Sequence, residues 1–391
     1  MGKKFRRNML ALVVVMGAAL TIWGLAVSRE PAYLGRPLSN WLTLYDAAYP
    51  SAILPTLGNQ PTLAGFTAAD QAVRQMGTKA IPVLLRRLAC RDSDLGERIS
   101  LMLQKQDLFK VPYSRPLMKN LEAAHALRAL GTLASASLPK LLSIYALTET
   151  NSYHRVYVTS IFAALGPAAS EAVPTLIAGL SSGLTAPSGA VPTRGYRGEM
   201  VRASSALALG EIHSHPEISI PALAVSLSDP SLEVKSLAAR SLGKFGAAAQ
   251  PAISQLVGLL KTGESNSGHS SVRSFGRVSY DEALGWRPVD LRQVVVEALN
   301  QISPGMAAES AVPVLVENLR LADFENRINS MRALRWFGTN AAPAIPELLT
   351  LFKRQNGSTD FLYGPYDWRV QELADTINAI DPLAAGRAGV H

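Results

Sequence analysis

The sequence predicts an all-α protein, an α-solenoid of about seven stacked helical hairpins closed by an N-terminal and a C-terminal cap. Three observations carry this. Apolar residues recur at the three-and-four spacing of a helix face in one segment after another. Proline and glycine stand between the segments as punctuation, and strand-like alternation of Val, Ile and Thr is scarce after residue 60. The clearest copy of the unit runs from Asp229 to Leu260. In it Val234, Leu237, Ala238, Ser241, Leu242 and Phe245 mark one helix face, and Ile253, Leu256, Val257 and Leu260 mark a second. Asp229-Pro230-Ser231 opens the first helix, Gly243 and Gly246 close it, and Pro251 starts the second helix, where a missing N–H costs nothing.

Taken in order, the 391 residues divide into a membrane segment (1–30), a cap and linker (31–66), the repeat array (67–385) and a short tail (386–391). Met9 to Val27 is an uncharged apolar run, preceded by Lys3, Lys4, Arg6 and Arg7. It is long enough to span a bilayer. We read it as a transmembrane anchor, the alternative being a cleaved signal peptide cut near Ser28. Positive charge ahead of the run keeps the N-terminus in the cytoplasm and sends everything from Arg29 onward to the extracytoplasmic side. Next, Ser39 is placed to cap a short helix carrying Trp41, Leu42, Leu44 and Tyr45, which closes the solenoid's first face.

The hairpins align on the glycine expected to end each first helix: Gly77, Gly131, Gly166, Gly210, Gly246, Gly305 and Gly338. Phrases such as GTKAIPVLLRRL, GPAASEAVPTLI and GTNAAPAIPELL follow it. GEIHSHPEISIPAL, after Gly210, is the poorest copy, with a turn stretched before Pro221. Trp368 to Asp381 repeats only a first helix and reads as the C-terminal cap. The iterated phrase resembles the HEAT repeat in its bacterial, phycobilin-lyase-type form, over about Thr67 to Ala385. Stacked repeats of this kind read as a protein-binding scaffold, and the apolar run 9–27 with its leading positive charge puts that scaffold in the bacterial cell envelope, held at the inner membrane with its body in the periplasm. The resemblance also admits a lyase-type or metal-dependent enzyme or accessory, and a purely structural envelope component.

Adjoining units lie 35, 36 and 33 residues apart, from Gly131 to Gly166, Gly210 to Gly246 and Gly305 to Gly338. Wider gaps hold insertions at about 91–120, 181–200, 261–290 and 353–367, each between a second helix and the next first helix. In a solenoid those junctions share one edge, so the insertions form a wall. Arg194, Tyr196 and Arg197 in the second insertion, and Arg273, Phe275, Arg277, Tyr280 and Trp286 in the third, have the Arg/aromatic composition of binding hot spots. They are the candidate partner-binding residues. The partner itself is not legible.

No catalytic, cofactor or metal residues are assigned. The hydroxylase of this repeat family that holds two irons uses His-Glu pairs, and none occurs here. His125 sits among Ala and Leu as a packing residue. His213 and His215 lack a Cys or an evident carboxylate partner. Cys90, the one cysteine, excludes an internal disulfide and reads as apolar filler. The net charge of +8 draws half its value from residues 3–7, leaving a weakly basic body and no stripe suited to nucleic acid. Arg128, Arg202, Arg240 and Arg332 recur on first helices, where such side chains cover apolar surface with their stems and keep their heads in water.

Overall fold

The computed structural model describes residues 30–46, 63–90, 116–148, 152–183, 192–261, 291–320, 324–356 and 368–389. These form two compact units, divided between Glu149 and Thr150. Both are all-α, apart from one two-residue strand pair.

The first unit opens with β1 (Ala32–Tyr33) and β2 (Arg36–Pro37), antiparallel with Tyr33 opposite Arg36. They lead into α1 (Leu38–Asp46), followed by α2 (Leu63–Met76), α3 (Ile81–Leu88), α4 (Pro116–Leu130) and α5 (Leu138–Leu147). The cap therefore contains a hairpin as well as the expected helix. Ser39 is not its N-cap, because the helix has begun at Leu38 and the Ser39 N–H donates to Glu30 Oε2 at 3.1 Å. Leu38, Leu42 and Tyr45 of α1 are fully buried where it packs on α2 and α4. Tyr45 Oη donates to Asp70 Oδ1 at 2.6 Å. Burial and that carboxylate both push the phenol's pKa up, so it stays a donor.

The second unit contains α6 (Ser152–Leu165), α7 (Val173–Gly179), α8 (Pro192–Ile212), α9 (Pro216–Ser226), α10 (Leu232–Lys244), α11 (Ile253–Lys261), α12 (Leu291–Ile302), α13 (Pro304–Arg320), α14 (Phe324–Phe337), α15 (Ile345–Asn356), α16 (Trp368–Ile380) and α17 (Pro382–Arg387). Its stacking is read from which helices touch. The first helices α6, α8, α10, α12, α14 and α16 each pack on the next. Every second helix, α7 through α15, seats against the first helix that follows it. The apolar core lies between these two layers, with Phe162, Leu209, Leu242, Leu299, Leu334 and Ile377 buried along it. Polar rungs tie neighbours together: Ser241 Oγ donates to Ala206 O at 2.8 Å, and Asn300 Nδ2 to Trp336 O at 2.9 Å.

Five of the seven anchor glycines, Gly77, Gly131, Gly166, Gly246 and Gly338, have φ between +53 and +57° and end their first helices. Without a Cβ, glycine takes this left-handed turn freely. A short 3₁₀ segment then carries the chain to the second helix. Gly210 and Gly305 do not have this role. Helix α8 runs past Gly210 to Ile212, and α12 ends at Ile302, ahead of Gly305 in α13. The poorest copy is thus not stretched. Only His213, Ser214 and His215 separate α8 from α9, which already contains Pro221. Gly210 instead marks a helix crossing, since a Cβ there would lie 2.8 Å from Ser241 Cα.

Two stretches, Met118–Leu147 and Tyr153–Gly179, are long and apolar enough to cross a membrane by length and composition. Each is broken by a left-handed glycine, Gly131 or Gly166, and packs as two helices of the repeat.

Candidate functional site: the neck of the second insertion

Residues 192–200 were expected in an insertion, yet they form the first turns of α8, which at 21 residues is the longest helix described. Arg194, Tyr196 and Arg197 lie on this stretch of backbone. Arg273, Phe275, Arg277, Tyr280 and Trp286 fall outside the described residues, as do the apolar run 9–27 and most of the first, third and fourth insertions.

What fixes α8 is a set of contacts centred on Arg202. Its guanidinium pairs with Asp229 through two bonds, Nε to Oδ2 at 2.7 Å and Nη2 to Oδ1 at 3.0 Å. Its third nitrogen, Nη1, donates to Ser182 O at 2.8 Å. The planar fork of arginine suits this bidentate geometry, and both side chains are almost fully removed from water, at 5% and 3% exposure. This corrects the expectation that the Arg202 head lies in solvent. Asp229 in turn accepts from the Ser231 N–H at 2.8 Å. Ser231 is the N-cap of α10, and its Oγ donates to Glu199 Oε1 at 2.5 Å. The clamp therefore joins the end of the α7 turn, the middle of α8 and the start of α10.

A second contact closes the neck sterically. Gly183 has φ +74°, and a Cβ on Gly198 would lie 2.8 Å from Ser182 O and 3.0 Å from Gly183 Cα. Only glycine at both positions lets the chain leaving α7 touch the second turn of α8. The other first-helix arginines behave differently. Arg332 is exposed and bonds Glu372 at 3.2 Å, with Arg335 reaching the same carboxylate at 3.1 Å. Arg128 and Arg240 are half-buried.

The clamp binds and positions; it holds no nucleophile paired with a base. His125 is stacked on Tyr45 with ring centroids 5.5 Å apart. Burial, and secondarily Arg128, bring its pKa down to about 3, so it is neutral. His213 and His215 are exposed in left-handed backbone, φ +51 and +52°. The first stacks on Phe245 at 4.7 Å, and the second approaches Glu217 at 3.2 Å. Among the described residues no three His, Cys, Asp or Glu side chains gather as a metal set. Cys90 is half-buried.

No family model matches the chain, and no curated protein does. Solved structures do match, among them a crystallised engineered protein that is 21% identical. The match covers 63% of this chain and 97% of that one at a TM-score of 0.33, a likeness too distant to bear on function.

Sequence reasoning missed the clamp because Arg202 and Asp229 are 27 residues apart, the first on α8 and the second in the turn that precedes α10. A signal was present. Asp229-Pro230 opens a first helix just where the preceding first helix offers a basic residue beside an apolar one.

Proposed function

We propose that the chain is an exported scaffold of the HEAT-like type, anchored in the inner membrane by residues 9–27, that binds other proteins along the insertion edge of its periplasmic body. The observation that carries this reading is the clamped neck. Arg194, Tyr196 and Arg197 begin a helix whose continuation is locked by a buried bidentate ion pair and a glycine pinch. A recognition segment presented from a rigid support loses less conformational entropy on binding than one on a free loop. The three residues supply the Arg/Tyr chemistry typical of hot spots, and Arg273, Phe275, Arg277, Tyr280 and Trp286 in the third insertion have the same Arg/aromatic composition. The partner is a protein; no cofactor and no nucleic acid enter the reading.

Affinity capture from solubilised envelopes tests it. The full chain is compared with a variant carrying Arg194→Ala, Tyr196→Ala and Arg197→Ala, and with one whose residues 262–290 are replaced by a short Gly/Ser link. All must show the same helical signal. A partner held by the full chain and lost by either variant supports the reading. Equal capture by all three overturns the insertion edge as the binding face. Failure of the full chain to retain any partner overturns the scaffold itself.

A further inference from the structure

The tip of the cap hairpin carries an apolar residue in a place that chemistry disfavours. Because Tyr33 pairs with Arg36, the loop is the two residues Leu34 and Gly35, with φ of +50 and +72°. A two-residue hairpin loop with both φ values positive is the I′ type, in which Asn-Gly is the favoured pair. Gly35 takes the conformation freely. Leu34 takes it against the clash of its Cβ with the neighbouring carbonyl, and it leaves 76% of its surface in solvent. An asparagine would relieve both penalties. Strain and exposure on one leucine point to something outside the chain that it contacts.

Its surroundings say what that is. Arg36, exposed beside the tip, lies 5.6 Å over the ring of Trp41, and Trp41 Nε1 donates to Tyr33 O at 3.2 Å. A leucine tip with a guanidinium collar fits a phospholipid surface, the side chain reaching the acyl boundary and the cation the phosphates. The tether is also short. Seven residues lead from Val27, the end of the apolar run, to Leu34. At about 3.3 to 3.6 Å per residue even an extended chain keeps the tip within roughly 25 Å of the membrane core.

We propose that the Leu34–Gly35 tip enters the headgroup layer of the bilayer that residues 9–27 cross, with Arg36 on lipid phosphate, docking the cap on an anionic lipid surface. This rests on the anchor reading above, and the experiment separates the two. The full chain, with Cys90→Ser, carries one bimane-labelled cysteine at Met16, Ala32 or Val225. It is reconstituted into phosphatidylethanolamine vesicles containing phosphatidylglycerol and a lipid-borne nitroxide quencher. Val225 is as exposed as Leu34 but lies on α9, and it serves as the aqueous reference. Quenching is expected at Met16 and, several-fold above the Val225 level, at Ala32. Leu34→Asn keeps the turn and is expected to return the Ala32 probe toward the reference; Arg36→Gln does so in part. A probe at Ala32 quenched no more than Val225, with Met16 strongly quenched, overturns the tip insertion and leaves the anchor standing. An unquenched Met16 overturns the anchor, and the proposal with it.

Discussion

Gly210 and Gly258 are both interior helical glycines, yet replacing each with alanine is expected to move stability in opposite directions. On α11, a Cβ at Gly258 meets nothing within 4 Å. Gly258→Ala therefore gains only the propensity difference, about 0.5 to 1 kcal/mol. On α8, a Cβ at Gly210 would sit 2.4 Å from Ser241 Oγ, 2.6 Å from its Cβ and 2.8 Å from its Cα. The last of these is backbone, so α8 and α10 must separate. Ser241 is 1% exposed, and its hydroxyl bond to Ala206 O is lost or stretched in the process. Overpacking of this kind costs about 1 to 3 kcal/mol, and a lost hydrogen bond adds about 1. After the propensity gain, Gly210→Ala is left destabilised by roughly 1 to 3 kcal/mol. Urea unfolding followed by far-ultraviolet circular dichroism measures both variants. Ser241→Gly combined with Gly210→Ala should recover part of the loss, because the second change removes the obstacle that the first collides with. If Gly210→Ala matches or exceeds the parent, the crossing at this glycine is not as close as described and the stacking of α8 on α10 has been misjudged.

Arg202→Met alone leaves Asp229 buried without its counter-charge and should cost about 3 to 5 kcal/mol, whereas Arg202→Met with Asp229→Leu should cost clearly less; similar losses would refute the clamp. His125 has a folded pKa below its ordinary 6.5, so its neutral form is the one that folding favours. Its contribution is complete above about pH 6.5 and is lost as pH falls toward about 3. An acid titration of the first unit's stability should therefore flatten in His125→Phe, and an unchanged slope would refute the burial of the imidazole. His215→Gly, at an exposed left-handed position, should stabilise the second unit by on the order of 0.5 to 1 kcal/mol in thermal melts. A clear loss instead would show that the His215 contact with Glu217 matters more than the backbone conformation.

The fold class was legible because glycine and proline mark turns by local sterics, which a single sequence displays directly. Gly77, Gly131, Gly166, Gly246 and Gly338 all stand where the phrase placed them. Gly305 stands in the first turn of α13 with open space around it, but Gly210 misled for a physical reason. Glycine serves both a left-handed turn and a close helix crossing, and only the neighbouring helix distinguishes the two. At Gly210 that neighbour is Ser241, 31 residues away in sequence and invisible to local pattern. His213 then takes the left-handed position that glycine fills elsewhere. The strand pair of the cap was missed because two residues per strand leave no alternation to read. Of the candidate binding residues, the sequence supplied chemistry but not support. The clamp beneath Arg194, Tyr196 and Arg197 depends on pairing between successive repeats.

The contact of Gly183 with Gly198 gives the second insertion a closed throat, and a closed throat separates what residues 184–191 contain from what the solenoid feels. Residues 184–191 should therefore tolerate being lengthened, exchanged or cut, because the turn after α7 and the second turn of α8 stay fastened by the Arg202–Ser182 bond and by bare backbone at Gly183 and Gly198. New binding sequences, or a break that splits the chain into two complementing fragments, can therefore be introduced there without altering how α7 and α8 meet.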